Sequence, residues 1–216
     1  MNTIVYLIRH STKINPKIIG IYNTNDNELE KTEKKMLSVE GEKRAEILSK
    51  EKEFDDIDVL YSSDYVRAMQ TAKYFLEGKN IKLNIDKRFN ERNKGTYDKN
   101  KYPNFFCDQY WNKDFKSEDG ESQVEVNKRV TEAFNDVINN NKGKKIVIVS
   151  HGTAISFLLM NWCELLDVQS NLLRKFKYKD KIIINRPYNA PEVFKLTINE
   201  NNEVIDIENI EFDSLK

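Results

Sequence analysis

The stretch Thr3-Ile4-Val5-Tyr6-Leu7-Ile8-Arg9-His10 decides how the rest of the chain is read. Residues 3–8 are a compact apolar run rich in β-branched side chains, which marks a strand buried on both faces. The run then ends on a guanidinium and an imidazole. A second such run, Lys145-Ile146-Val147-Ile148-Val149, leads into Ser150-His151-Gly152 at the start of a helical pattern over residues 152–166.

Between and beyond these two runs, strands and helices alternate. Ser38 opens a helical pattern to about residue 52, with apolar or small positions at Val39, Ala45, Ile47 and Leu48. Residues 58–62 read as a short strand. Ser63 or Asp64 is placed to cap the next helix, whose Val66, Met69, Ala72, Phe75 and Leu76 share one face. Residues 81–85 alternate as a third strand, and Ser122 with Glu125 forms a capping box that opens a helix through Ile138. Residues 193–198 and 204–210 close the chain as an antiparallel hairpin. The alternation predicts an α/β fold, a three-layer sandwich with a mostly parallel central sheet flanked by helices. Residues 11–37 and 91–120 fall outside it. Both are polar, irregular and placed after strands, and are expected to be pocket-wall insertions, with a small inserted lid.

The chain has 216 residues, which suits a single domain over 1–216. Its 35 Lys and Arg balance 35 Asp and Glu, which argues against nucleic acid or an anionic membrane as the main partner. A hydrophobic fraction of 39% with ten Tyr and eleven Phe supplies a sizeable core, so no disulfide or metal staple is needed. Cys107 and Cys163 lie far apart and read as two free thiols in a reducing cytosol. The first residues lack the basic start and apolar core of a signal peptide, and residues 154–166 are too short to cross a membrane. A cytoplasmic protein is expected.

In an open α/β sheet, ligands bind outside the carboxyl ends of the strands. His10 and His151 each follow a strand there, and Arg67 sits in the first turn of the helix after the second strand. With Arg9, this puts two imidazoles and two guanidiniums on one crevice, beside a helix N-terminus at Gly152. Such a set favours a phosphate. The chain has 27 Lys and only 8 Arg, so arginine at both positions points to bidentate recognition. A neutral imidazole serves as nucleophile toward phosphorus, and a carboxylic acid then protonates the leaving oxygen. Glu91, opening the second insertion, is the candidate donor; Glu121 and Asp98 are rival carboxylates in the same segment. Tyr97, Tyr102, Phe105, Phe106, Tyr110 and Trp111 form an aromatic cluster there, either the core of a lid or a wall against the substrate.

Taken together, Arg9-His10, Ser62-Ser63 through Arg67-Ala68 with Gln70-Thr71-Ala72, Glu91 with Gly95, and Ser150-His151-Gly152 resemble the histidine phosphatase superfamily, the phosphoglycerate mutase-like proteins. The Leu37, Gly41 and Ala45 spacing and Gly120-Glu121-Ser122 agree, and the resemblance runs from residue 4 to about 160. It implies His10 as the phosphoryl-accepting nucleophile, Arg9 and Arg67 as phosphate ligands, His151 as the second pocket histidine and Glu91 as acid and base. It implies no metal and no cofactor. The family usually has Gly where this chain has Ser11, which either offers a hydroxyl to the phosphate or crowds the loop with its Cβ, and the family's nearby asparagine is either absent or displaced by one position to Asn15. With Gly152, these complete the expected phosphate-binding set. No mutase-like basic pair follows, so hydrolysis of a small phosphorylated substrate, a sugar phosphate or other phosphometabolite, is expected. A mutase and a degenerate phospho-ligand binder are the alternatives.

Overall fold

The computed structural model describes residues 1–14 and 28–216. Its elements run β1 (Thr3–Arg9), α1 (Glu28–Glu33), α2 (Val39–Ser49), β2 (Val59–Ser62), α3 (Val66–Ala72), β3 (Leu83–Ile85), α4 (Phe105–Trp111) and α5 (Gln123–Asn140). β4 (Lys145–Ser150), α6 (Gly152–Leu159), β5 (Glu164–Val168), β6 (Leu173–Tyr178), β7 (Lys181–Pro187), β8 (Glu192–Ile198) and β9 (Val204–Ile210) follow.

The main sheet has the order β3-β2-β4-β1-β8-β9. Its first four strands are parallel; β8 and β9 are added antiparallel, as the hairpin pattern predicts. Side chains alternate across the central strands because a strand repeats every two residues. Val5, Leu7, Ile146 and Ile148 join one core with Val130 and Phe134 of α5 and Ile155, Phe157 and Leu158 of α6. Tyr6, Ile8, Val147 and Val149 join the other, with Leu48 of α2, Ala68 and Ala72 of α3, and Phe54 and Phe75. Each large apolar side chain so buried contributes roughly 1.5–3 kcal/mol. The apolar runs of β1 and β4 are continuous because both faces are covered. This is the three-layer α/β arrangement expected.

The capping box forms as expected: Ser122 Oγ accepts from the Glu125 N–H, and Glu125 Oε2 accepts from the Ser122 N–H. Ser38 caps α2 by accepting from the Gly41 N–H at 3.0 Å. Ser63 and Asp64 do not cap α3. That helix begins after Tyr65 without a side-chain cap, and the Ser63 hydroxyl is turned toward His151 instead.

The helix expected over residues 152–166 ends at Leu159. Leu165 and Val168 belong to β5, which with β6 and β7 makes a separate three-stranded antiparallel sheet. A short apolar run reads equally as buried helix or strand. Here β6 decides: it alternates, burying Arg174, Phe176 and Tyr178, and draws the preceding residues into an extended partner. Among the described residues, no helix is long and apolar enough to cross a membrane, and Cys107 and Cys163 are both free.

Gly41, in the first turn of α2, lets that helix lie directly on the loop after β1. A Cβ there would stand 1.9 Å from the Thr12 carbonyl oxygen, which already accepts the Ser38 N–H at 3.0 Å. Neither partner is a flexible side chain. Gly41→Ala is therefore expected to cost about 1–3 kcal/mol, seen as a drop of several degrees in thermal denaturation; an unchanged melting temperature would contradict this packing.

Candidate active site

Parallel pairing brings the two histidines together. Arg9 of β1 lies opposite Ser150 of β4, so His10 and His151 leave the sheet side by side with ring centroids 5.2 Å apart. Both are buried. His10 Nδ1 is 2.7 Å from the Ser11 carbonyl oxygen. A carbonyl only accepts, so Nδ1 carries the proton and Nε2 keeps its lone pair. His151 is fixed from both sides, because the Arg67 guanidinium donates to Nδ1 at 3.1 Å. Nε2 therefore carries the proton and donates to Ser63 Oγ at 2.7 Å. Both pKa values fall well below the usual imidazole value, through burial first and then the positive charge of Arg67. The free pocket thus holds two neutral imidazoles.

Backbone carbonyls hold the arginines in place. Arg9 Nη1 donates to Tyr188 O at 2.7 Å and Asn189 O at 2.9 Å. Arg67 Nη1 donates to Thr32 O at 2.7 Å, and its guanidinium lies 4.8 Å from the Tyr65 ring centroid. The turn that serves Arg9 is itself braced: buried Glu192 accepts from the Asn189 N–H and pairs with Arg186, both at 2.6 Å. Such carbonyls orient a guanidinium without cancelling its charge.

Glu91 comes to the same place. Its Oε1 accepts from the Ala154 N–H at 3.0 Å and its Oε2 from the Thr153 N–H at 3.2 Å, so its carboxylate sits on the N-terminus of α6 beside His151. Two of the helix N–H groups expected to face a phosphate are therefore given to Glu91. The rival carboxylates lie elsewhere: Glu121 is paired in bidentate fashion with Arg129, and Asp98 accepts from the Asn100 N–H in its own turn. Arg129 also donates to the carbonyls of Arg88, Asn90 and Glu91, which fixes the segment carrying the carboxylate.

Ser11 is buried; its N–H donates to Thr71 Oγ1 at 3.0 Å, and its hydroxyl has no hydrogen-bond partner among the described residues. Gly152 opens α6 between Arg9 and Arg174. Asn15 lies outside the described residues, as does part of the 11–37 insertion. The aromatic cluster divides. Tyr97, Tyr102 and Phe105 pack with Phe115 as the core of the insertion, whereas Phe106 and Tyr110 turn toward Arg174, and Trp111 is exposed.

Two cations escape the sequence reading. Arg174 of β6 is buried next to Gly152; the rarity of arginine in this lysine-rich chain is the one signal that marks it. Lys13 retains exposed surface, yet partial burial and the charges of Arg67, Lys35, Lys94 and Arg9 lower its ammonium to about 8. Among the described residues, no group of three or more His, Cys, Asp or Glu is placed to hold a metal ion. A cleft of about 230 Å³ behind the site, lined by Arg44, Pro191, Ile210 and Phe212 among others, contains neither histidine.

The electrostatics have a measurable sign. Lys13 loses its charge as pH rises through about 8, so inorganic sulfate, whose own charge is fixed over this range, is expected to bind more weakly as pH rises from 7 to 9. One charge at this range is worth up to about tenfold. Calorimetric titration across that interval measures the fall, and Lys13→Met should flatten it; an equal fall in the variant would remove Lys13 from the site.

A model of the histidine phosphatase superfamily, branch 1, matches residues 5–186. A probable phosphoglycerate mutase, GpmB, of Yersinia enterocolitica is 25% identical over 163 residues, covering 72% of each chain. Bacillus stearothermophilus YhfR superposes with a TM-score of 0.70 at 19% identity, over 99% of this chain and 100% of that one. A mycobacterial glucosyl-3-phosphoglycerate phosphatase gives 0.68 at 16% identity over 99% of both. With a match over most of its length and a pocket in which neutral histidines meet buried arginines, the chain belongs to the histidine phosphatase superfamily and is an enzyme of the phosphatase type.

Proposed function

We propose that the protein hydrolyses a small phosphomonoester in two displacements at His10. The observation that carries this reading is the Nδ1–H of His10 held on the Ser11 carbonyl, which leaves the Nε2 lone pair unspent in a buried, cationic pocket. In the first displacement Nε2 attacks phosphorus and the bond from phosphorus to the ester oxygen breaks, with Glu91 giving that oxygen a proton that the carboxylate takes up from the monoanionic ester as it binds. In the second, water attacks the phosphohistidine, Glu91 takes a proton from it, and the P–N bond breaks to release phosphate. Arg9 and Arg67 supply positive charge to the equatorial oxygens without needing to move far. Phosphate binding brings the dianion against the Arg67–His151 contact; negative charge there favours protonation of His151, which then donates to the transferring group. The Ser11 hydroxyl, which has no partner among the described residues, and the Gly152 backbone complete the cradle in this reading.

The test is phosphate release from nitrophenyl phosphate and a panel of small alkyl phosphates, with a chelator present. Release is expected from wild type and lost in His10→Ala, whose circular dichroism should stay unchanged. Isomerised ester in place of free phosphate would establish the mutase chemistry named for the Yersinia relative. Phosphate binding without any turnover would leave a phospho-ligand binder. Glu91→Gln should slow alkyl esters by about a hundredfold or more and nitrophenyl phosphate far less, because a good leaving group needs no protonation. Equal losses on both would take Glu91 out of the proton-transfer role.

A further inference from the structure

The cleft of about 230 Å³ behind the active site lies at the same edge of the main sheet as the histidines. β8 starts there, with Glu192 opposite Arg9 of β1, and β9 ends there, with Ile210 opposite Val193. Pro191, Val193, Ile210, Phe212 and Leu215 give the cleft its apolar lining, and Arg44 of α2 lines it from the helix layer. An apolar cavity of roughly 150 Å³ takes one benzene ring. This cleft therefore has room for a single ring with a small substituent.

Its charges are unevenly spent. Both carboxylates of the lining are paired with Arg186, Glu192 at 2.6 Å and Glu211 at 2.7 Å, and Lys216 pairs with Asp213 at 2.6 Å. Arg44 has no such partner. Its Nε donates to the Ala190 carbonyl at 3.0 Å. Among the described residues its two terminal nitrogens donate to nothing, and no carboxylate forms an ion pair with it. Two parallel N–H groups match the two oxygens of a carboxylate. A doubly charged anion would meet Glu192 and Glu211 with one spare cation to hold it, so a monoanion on an apolar body suits the cleft better.

The carbonyl that holds Arg44 belongs to the turn that holds Arg9. Ala190 O accepts from Arg44 Nε and, at 3.2 Å, from Thr12 Oγ1, while the carbonyls of Tyr188 and Asn189 accept from Arg9 Nη1. Cleft and phosphate pocket are thus two sides of one turn. We propose that the cleft binds a small organic acid, a carboxylate on a body of about one ring, and that this acid is an effector of the phosphate site. A carboxylate seated on both terminal nitrogens fixes Arg44 in the rotamer whose Nε holds Ala190. Part of the cost of holding the turn still is then met before phosphate arrives. Acid and phosphate should tighten each other's binding by the same factor.

Sodium benzoate, titrated calorimetrically with and without sulfate, tests this; sulfate fills the phosphate pocket and is not turned over. Benzoate is expected to bind about tenfold tighter than neutral benzamide, the worth of a charge-assisted hydrogen bond, and Arg44→Gln should abolish that preference. Sulfate should tighten benzoate about fivefold, an ordinary coupling between two sites, and the gain should level off as its pocket fills. A benzoate affinity that falls steadily as sulfate rises would mean that both compete for Arg9 and Arg67, and overturns the proposal. So do absent benzoate binding, equal affinity for benzamide, a preference kept in Arg44→Gln, and a benzoate affinity that sulfate leaves unchanged. If Arg44→Gln fails to fold, Leu215→Trp, which fills the cleft and keeps the guanidinium, must weaken benzoate at least about tenfold while sulfate still binds; benzoate held as tightly as by wild type overturns the proposal.

Discussion

Positive charge packed out of water is the constraint around which this protein is arranged. Arg9, Arg67 and Arg174 converge on the carboxyl end of β1 and β4 with two imidazoles among them. Like charges at such separations repel strongly in a desolvated setting. The arrangement holds because the imidazoles stay neutral and because each guanidinium is met by oxygen dipoles or aromatic faces. Among the described residues, no carboxylate forms an ion pair with Arg9 or Arg174, so positive charge is left to meet an anion.

The rest of the fold can be understood as the means of holding that charge. The parallel pairing of β1 with β4 sets the two histidines beside each other. α3 contributes Arg67 and, one turn on, Thr71, which accepts the Ser11 N–H. α5 contributes Arg129, which gathers the carbonyls before Glu91 and so aims the carboxylate at α6. Buried Glu192 braces the turn that receives Arg9. Most of these contacts join segments far apart in sequence, so the geometry exists only once the sheet has formed.

That explains which parts were legible in the sequence. The continuous apolar runs of β1 and β4 could be read because burial on both faces leaves a local signature. His10, His151, Arg9 and Arg67 could be placed because each follows a strand that ends at the same edge. Glu91 was named among three carboxylates, and only the tertiary contacts separate it from Glu121 and Asp98. Ser63 looked like a helix cap because its alternative partner, His151, is 88 residues away. Arg174 was invisible for a related reason. Its strand alternates plainly, but nothing local says that an arginine on it will be swallowed by rings from α4 and from the turn after β7. The helix that stops at Leu159 was misread because its apolar continuation suits either element.

α3 also ties together two distant points of the chain. Thr71 holds the Ser11 N–H while its neighbour Gln70 accepts the Leu37 N–H at 2.7 Å, and Lys13 bridges Leu37 across the same gap. The end of β1 that carries His10 and the start of α2 are thus both fastened to one helix. A displacement of α3 would carry the two together, so the imidazole and the helix beside it move as one body.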